Sequence, residues 1–189
     1  KSPYMSLREI AEAVEFARAY GIRHEILELG IADEIKDNPQ NRCYLCKKAV
    51  FSRLFARANE LGFTNVADGT NKDDLSEYRP GLKAKEELGV LSPLLNLSKF
   101  EIRELSHELN LATAEKPSYA CLLTRLPHEK EISISDLNLA EAAENLLIKS
   151  GYANVRARLD DRKMKLQMPF SSMQNFLNDV KFKSIVKEL

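Results

Sequence analysis

The chain has 189 residues, 44% hydrophobic and 30% charged, long enough to bury about 70% of its unfolded surface without disulfide staples. Twenty-eight basic residues balance 28 acidic ones, so net charge offers no general hold on a polyanion such as nucleic acid, and only local clusters such as LLTR and VRAR remain for binding phosphate. Three cysteines do not suit a secreted disulfide framework, and no signal peptide or apolar run of roughly 20 residues is visible; a cytoplasmic protein with no membrane attachment is expected.

Leu7, Ile10, Val14 and Ala17 recur at helical spacing, predicting an amphipathic helix over 6–20 that stops at Gly21. IRHEILEL (22–29) alternates like a strand, and the polar, proline-containing 30–41 reads as a loop or short broken helix. A second helix is predicted from Tyr44 to Leu61, with Val50, Phe51, Leu54, Phe55 and Ala58 on one face, followed by a short strand and polar turn over 63–71. Ser98 and Glu101 form the sequence signature of a capping box opening a helix with Ile102, Leu105 and Leu109. Further on come a helix over 135–150, two strands over 154–160 and 162–168 joined by a tight turn at Asp160–Asp161, and a final helix over 171–189.

Helix–strand alternation through residue 95 predicts an α/β fold with a parallel sheet and right-handed crossovers. Residues from about 130 onward read as a small α+β unit. The expected domains are 1–126 and 127–189. The chain starts at Lys1 rather than Met and enters its first helix with no strand before it, so native sequence upstream of Lys1 is expected.

Several stretches carry chemistry-bearing residues. In VADGTNKDD (66–74) an apolar strand ends at Asp68, and ligands of open α/β sheets bind at such strand ends. Gly69 permits close backbone approach, Thr70 and Asn71 supply neutral hydrogen bonds, and Asp73 or Asp74 suits a divalent metal. Taken alone, the stretch fits an acidic helix start better, since Asp is favoured there anyway. Arg79, before Pro80–Gly81 in EYRPGLKA (77–84), is placed to aim a guanidinium at phosphate, or stands in an exposed turn. Arg156 and Arg158 share a strand face, where they need an anion or carboxylates between them.

Cys43 and Cys46 form a C-x-x-C at the start of the second helix, which suits a metal or a redox pair. A zinc site wants four ligands, for which only Cys121, His24, His107 and His128 are available. Cys121, with Lys116 and Arg125 nearby in sequence, makes three thiols. That number suits a 4Fe-4S cluster with one open iron, although three unrelated buried thiols fit the sequence equally well.

The ordered blocks NRCYLCKKAVFSRL, DGTNKDDLSEYRPGLKA, SPLLNLSKFEIRELS and KPSYACLLTRLP resemble the ATP-dependent sulfur transferases of the PP-loop superfamily, which have an adenine-nucleotide-hydrolase-like, Rossmann-like fold. The match is closest to the LarE type, which adds sulfur during synthesis of the nickel-pincer nucleotide cofactor, and covers about residues 3–160. Family members carry a Ser-Gly-Gly-x-Asp-Ser phosphate loop after an N-terminal strand; no such loop occurs in this sequence, and Lys1 aligns beyond it.

The resemblance implies that Asp68, Gly69, Thr70, Asn71, Asp73, Asp74 and Arg79 lie beside ATP and Mg2+. It further implies adenylylation of a substrate carboxylate, followed by displacement of AMP by sulfur to give a thiocarboxylate. Cys121 takes the sulfur-handling position with Arg125 as its catalytic neighbour, while Glu144, Arg156 and Arg158 match the pocket for a small-molecule nucleotide substrate. Cys43, Cys46 and Cys121 match a three-cysteine subgroup whose thiolates hold a 4Fe-4S cluster, Zn2+ being the alternative occupant. Family members are commonly homo-oligomers. One departure is PHEKE (127–131), where a glycine-containing turn is usual. A tRNA thiolase with the same cluster logic and a non-catalytic metal-binding domain are the competing readings, the former disfavoured by the zero net charge.

Overall fold

A computed structural model describes residues 1–76, 79–160 and 163–188. Glu77 and Tyr78 of the EYRPGLKA block, Asp161 of the expected tight turn, Arg162 of the expected second strand and the terminal Leu189 lie outside the described residues. In chain order the helices are α1 (Leu7–Ala19), α2 (Arg42–Glu60), α3 (Gly81–Glu87), α4 (Lys99–Glu108), α5 (Ile134–Lys149), α6 (Phe170–Asn178) and α7 (Phe182–Glu188), with β1 (Arg156–Asp160) and β2 (Lys163–Gln167) between α5 and α6. Residues group into two compact units, one formed by 1–30 with 117–189 and the other by 31–116. Position 126 falls inside the first of them.

The first unit holds α1, α5, the β1–β2 hairpin and the two last helices. Its core gathers Leu147, Tyr152, Val155, Phe176 and Ile185. Tyr152 meets Phe176 edge-on at 5.2 Å and Phe176 meets Phe182 at 5.1 Å, the arrangement that sets a ring's positive edge against a negative face. β1 and β2 pair antiparallel with Ala157 opposite Leu166 and Arg158 opposite Lys165, so Ala157 turns inward, fully buried, while Arg156 and Arg158 share the other face. The single helix expected over 171–189 is broken. Asp179 adopts an extended backbone after α6, its carboxylate accepts from Lys181 N at 2.7 Å and from the Tyr152 hydroxyl, and its carbonyl accepts from Phe182 N at 2.9 Å. An aspartate whose side chain bonds the amide two residues on offers the backbone a turn in place of a continued helix.

The second unit packs α3 on α2. The stem of Lys47 crosses buried Gly81 so closely that a Cβ there would stand 2.8 Å from Lys47 Cδ. α4 begins as expected: Ser98 Oγ accepts from Glu101 N at 3.2 Å, and Glu101 Oε2 accepts from Ser98 N at 2.7 Å.

The parallel sheet is the expectation the structure does not reproduce. Among the described residues the only sheet is β1–β2, and the parallel pattern survives as one bridge in the second unit between Ala67 and Leu91. There Asp68 N donates to Leu91 O at 2.8 Å and Leu91 N to Val66 O at 2.9 Å. The predicted strand 22–29 is irregular, with Ile22 and Ile26 half exposed. A strand is defined by its ladder, and the backbone partner this stretch finds is Lys1, whose carbonyl accepts from Leu29 N at 2.7 Å. No helix is long and apolar enough to cross a membrane.

Candidate functional site

Two groups of the sequence-predicted site residues are assembled, one within each unit. In the second unit the chain leaves the Ala67–Leu91 bridge at Asp68, whose half-exposed turn is held by side chains. Asp68 Oδ1 accepts from Thr70 N at 3.1 Å and from Ser92 Oγ at 2.8 Å; Oδ2 accepts from Thr70 Oγ1 at 2.7 Å and Lys85 Nζ at 2.5 Å. Lys85 Nζ also donates to Thr70 Oγ1. Burial by itself raises the Asp68 pKa, but the donors Lys85, Thr70 and Ser92 outweigh it and hold the carboxyl at about 2.

The next residues close a short 3-10 helix, Lys72–Ser76. Asn71 Oδ1 accepts from Asp73 N at 3.0 Å, while Asp74 Oδ2 accepts from Asn71 N at 3.0 Å. Asp73 Oδ2 accepts from Lys99 N at 2.8 Å, capping α4, and Asp74 Oδ1 pairs with Arg79 at 3.0 Å. Asp68 and Thr70 thus share one bonded group with Lys85 and Ser92, and Asn71, Asp73, Asp74 and Arg79 a second that follows directly in the chain. Their carboxylates face protein donors, and they do not form a cation-holding set. Two features do suit a nucleotide: the Arg79 side chain is about half exposed, and a Cβ built on Gly69 would meet nothing within 4 Å, leaving its backbone open to close approach.

In the first unit the KPSYACLLTRL segment forms a 3-10 turn, Leu122–Arg125, with Cys121 as the residue before it. Leu122 N donates to Tyr4 O at 2.9 Å, tying the turn to the start of the unit. Arg125 and Glu144 are each 1% exposed. Arg125 Nε donates to Glu144 Oε1 at 2.7 Å and Nη2 to Oε2 at 3.0 Å, and the same carboxylate accepts from Ala157 N at 2.8 Å and from the Tyr119 hydroxyl. Each Glu144 oxygen thus accepts two bonds. The remaining Arg125 nitrogen, Nη1, donates to Ala120 O at 3.0 Å and Thr124 Oγ1 at 2.7 Å, while Thr124 Oγ1 donates to Cys121 O at 2.9 Å. Burial disfavours the guanidinium charge, yet the Glu144 carboxylate more than compensates and raises the Arg125 pKa. Arg158 reaches the same turn from β1, donating Nη1 to Thr124 O at 2.9 Å and Nε to Gln167 Oε1 at 2.5 Å. Arg156 is exposed on the hairpin.

Cys121 is half-buried, and none of the three cysteines is in a disulfide. Cys43 and Cys46 lie in the first turns of α2, in the other compact unit. Among the described residues no three His, Cys, Asp or Glu side chains gather to hold a metal ion, so nothing in the structure supports the 4Fe-4S cluster or Zn2+ expected from the sequence.

Residues not anticipated from sequence are Lys85, Ser92, Tyr119 and Lys165. Lys85 lies four residues past Gly81 on the buried side of α3, and a lysine on a short helix ordinarily marks its wet face. Lys165 stands opposite Arg158, a like-charged pairing that costs stability; the alternation of β2 was the available signal.

No protein-family model matches the chain. An uncharacterized protein of Synechocystis is 36% identical over 190 residues, spanning 98% of this chain and 71% of its own length. An uncharacterized protein of Methanocaldococcus jannaschii is 40% identical over 149 residues, 78% of this chain and 57% of the relative. Pyridinium-3,5-bisthiocarboxylic acid mononucleotide synthase of Lactiplantibacillus plantarum is 31% identical over 173 residues, 89% of this chain and 63% of the synthase.

Proposed function

We propose that this chain, which belongs to the family of the Synechocystis protein, acts in ATP-dependent sulfur transfer, converting a carboxylate of a pyridinium-type mononucleotide into a thiocarboxylate. The similarity to the Lactiplantibacillus synthase supports the reaction class. The observation that carries the reading is the fixed presentation of Cys121, whose turn is held by Arg125 and Arg158 through the carbonyls of Ala120 and Thr124.

In this reading Cys121 is the sulfur-handling thiol: its thiolate displaces AMP from the adenylylated carboxylate to form a thioester. Loss of its Cα proton with cleavage of its Cβ–S bond then releases the thiocarboxylate and leaves dehydroalanine at position 121. Arg125 acts by holding the turn, because its guanidinium is buried against Glu144. Arg156 is the exposed cation of the β1 face, placed to meet a substrate phosphate or carboxylate. The open backbone at Gly69 and the half-exposed Arg79 would hold the nucleotide. ATP, when bound, supplies the adenylyl group that makes a carboxylate oxygen a leaving group. No part of the reading passes through a cluster. Isothermal titration with ATP tests it: saturable binding weakened by Arg79→Ala is expected, and no binding ends the reading.

A further inference from the structure

The buried Arg125–Glu144 pair has a third member that the reaction does not require. Tyr119 lies two residues before Cys121, and its hydroxyl donates to Glu144 Oε2, the oxygen that also accepts from Arg125 Nη2. Two guanidiniums sit over its ring, the Arg125 centre 4.8 Å and the Arg8 centre 5.2 Å from the centroid. Two cation–π contacts, with the phenol tethered to Glu144, fix the ring in position and orientation. Burial, and then the facing Glu144 carboxylate, hold the phenol well above its ordinary pKa of 10.0, so it is a hydrogen-bond donor and not a proton carrier.

This geometry brackets the cysteine. On its N-terminal side Tyr119 is anchored to Glu144; on its C-terminal side Arg125 is anchored to the same carboxylate and returns a bond to Ala120 O. One buried acid therefore closes a loop of seven residues, 119–125, around the thiol, and Ala157 N ties that acid to β1. We propose that Tyr119 is a positioning residue for Cys121: its bond to Glu144 locks the loop that presents the thiol. Its role in turnover rests on the sulfur-transfer reading, but its effect on the thiol does not.

The test is the alkylation rate of each cysteine by iodoacetamide at fixed pH, followed by peptide mass mapping, in wild type and Tyr119→Phe. The substitution keeps the ring and both stacking contacts and removes only the hydroxyl. Losing one buried hydrogen bond should raise the Cys121 rate about five-fold through local opening, with Cys43 and Cys46 in the other unit unchanged. An unchanged Cys121 rate, or an equal rise at all three cysteines, would overturn the proposal. Should Tyr119→Phe fail to fold, Arg8→Gln, which removes one cation from the ring, must give the same selective rise, and a flat result there overturns the proposal as well. A wild type without sulfur transfer removes the reading of the reaction, while the alkylation ratio still decides the positioning role.

Discussion

Arg125 and Glu144 meet as a two-point ion pair, Nε to Oε1 at 2.7 Å and Nη2 to Oε2 at 3.0 Å, with both side chains 1% exposed. Removing one partner strands the other charge in the interior. Glu144→Ala should therefore cost about 3–5 kcal/mol in urea unfolding. The double replacement Arg125→Met with Glu144→Leu should recover much of that loss, because no charge is left behind. Equal losses in the single and double variants would show that the pair is not a buried charge couple.

The Asp68–Lys85 pair predicts an acid limb. Asp68 has a pKa of about 2 in the fold against an ordinary 3.8, so below pH 3.8 the unfolded chain takes up a proton that the folded chain refuses. The stabilisation is fully present above the unfolded value and disappears as pH falls towards about 2. Melting temperature measured across that interval should fall in wild type, and the Asp68 share of the fall should shrink in Lys85→Met, where only the Thr70 and Ser92 donors remain. An identical acid profile in the variant would contradict the pairing.

How much of this was legible in the sequence depends on the range of the interaction. α1, α2, α4 and α5 follow from apolar spacing and stop signals within a turn or two of each residue, and the Ser98–Glu101 capping box is wholly local. The β1–β2 hairpin was legible for the same reason, because its strands are neighbours in the chain. The stretch 22–29 alternates correctly, but a strand needs a ladder with a distant partner, and among the described residues no ladder forms here; Leu29 N donates to Lys1 O instead. The break at Asp179 was hidden because Val180 and Val186 continue a helical apolar pattern, while the residue that ends α6 does so through Tyr152, 27 positions away. At the site, the residue types were legible and their bonding partners were not. Glu144 aligns with a substrate pocket, yet four protein donors saturate it.

The capping box of α4 gives a local test of the second unit. Ser98→Ala removes the acceptor for Glu101 N and should cost about 1 kcal/mol in unfolding free energy. Ser98→Asp, which retains a capping acceptor, should cost less. Hydrogen exchange should report the loss as faster exchange in the first turn of α4, with α5 unaffected.

The hairpin makes a charge prediction. Lys165 stands directly across from Arg158, and like charges opposite one another on a strand pair are unfavourable. Lys165→Glu should stabilise the protein by roughly 0.2–1 kcal/mol at low salt, with the gain shrinking as salt is added. If the face takes a substrate anion, the same change should weaken substrate binding, so stability and affinity should move in opposite directions.

The most direct test of the central claim is mass spectrometry of a pyridinium mononucleotide carboxylate after incubation with the protein, ATP and magnesium. The account predicts replacement of a carboxylate oxygen by sulfur, accompanied by AMP, with the sulfur product absent in Cys121→Ser. Wild type that forms neither product nor AMP, or Cys121→Ser that forms as much thiocarboxylate as wild type, would contradict it.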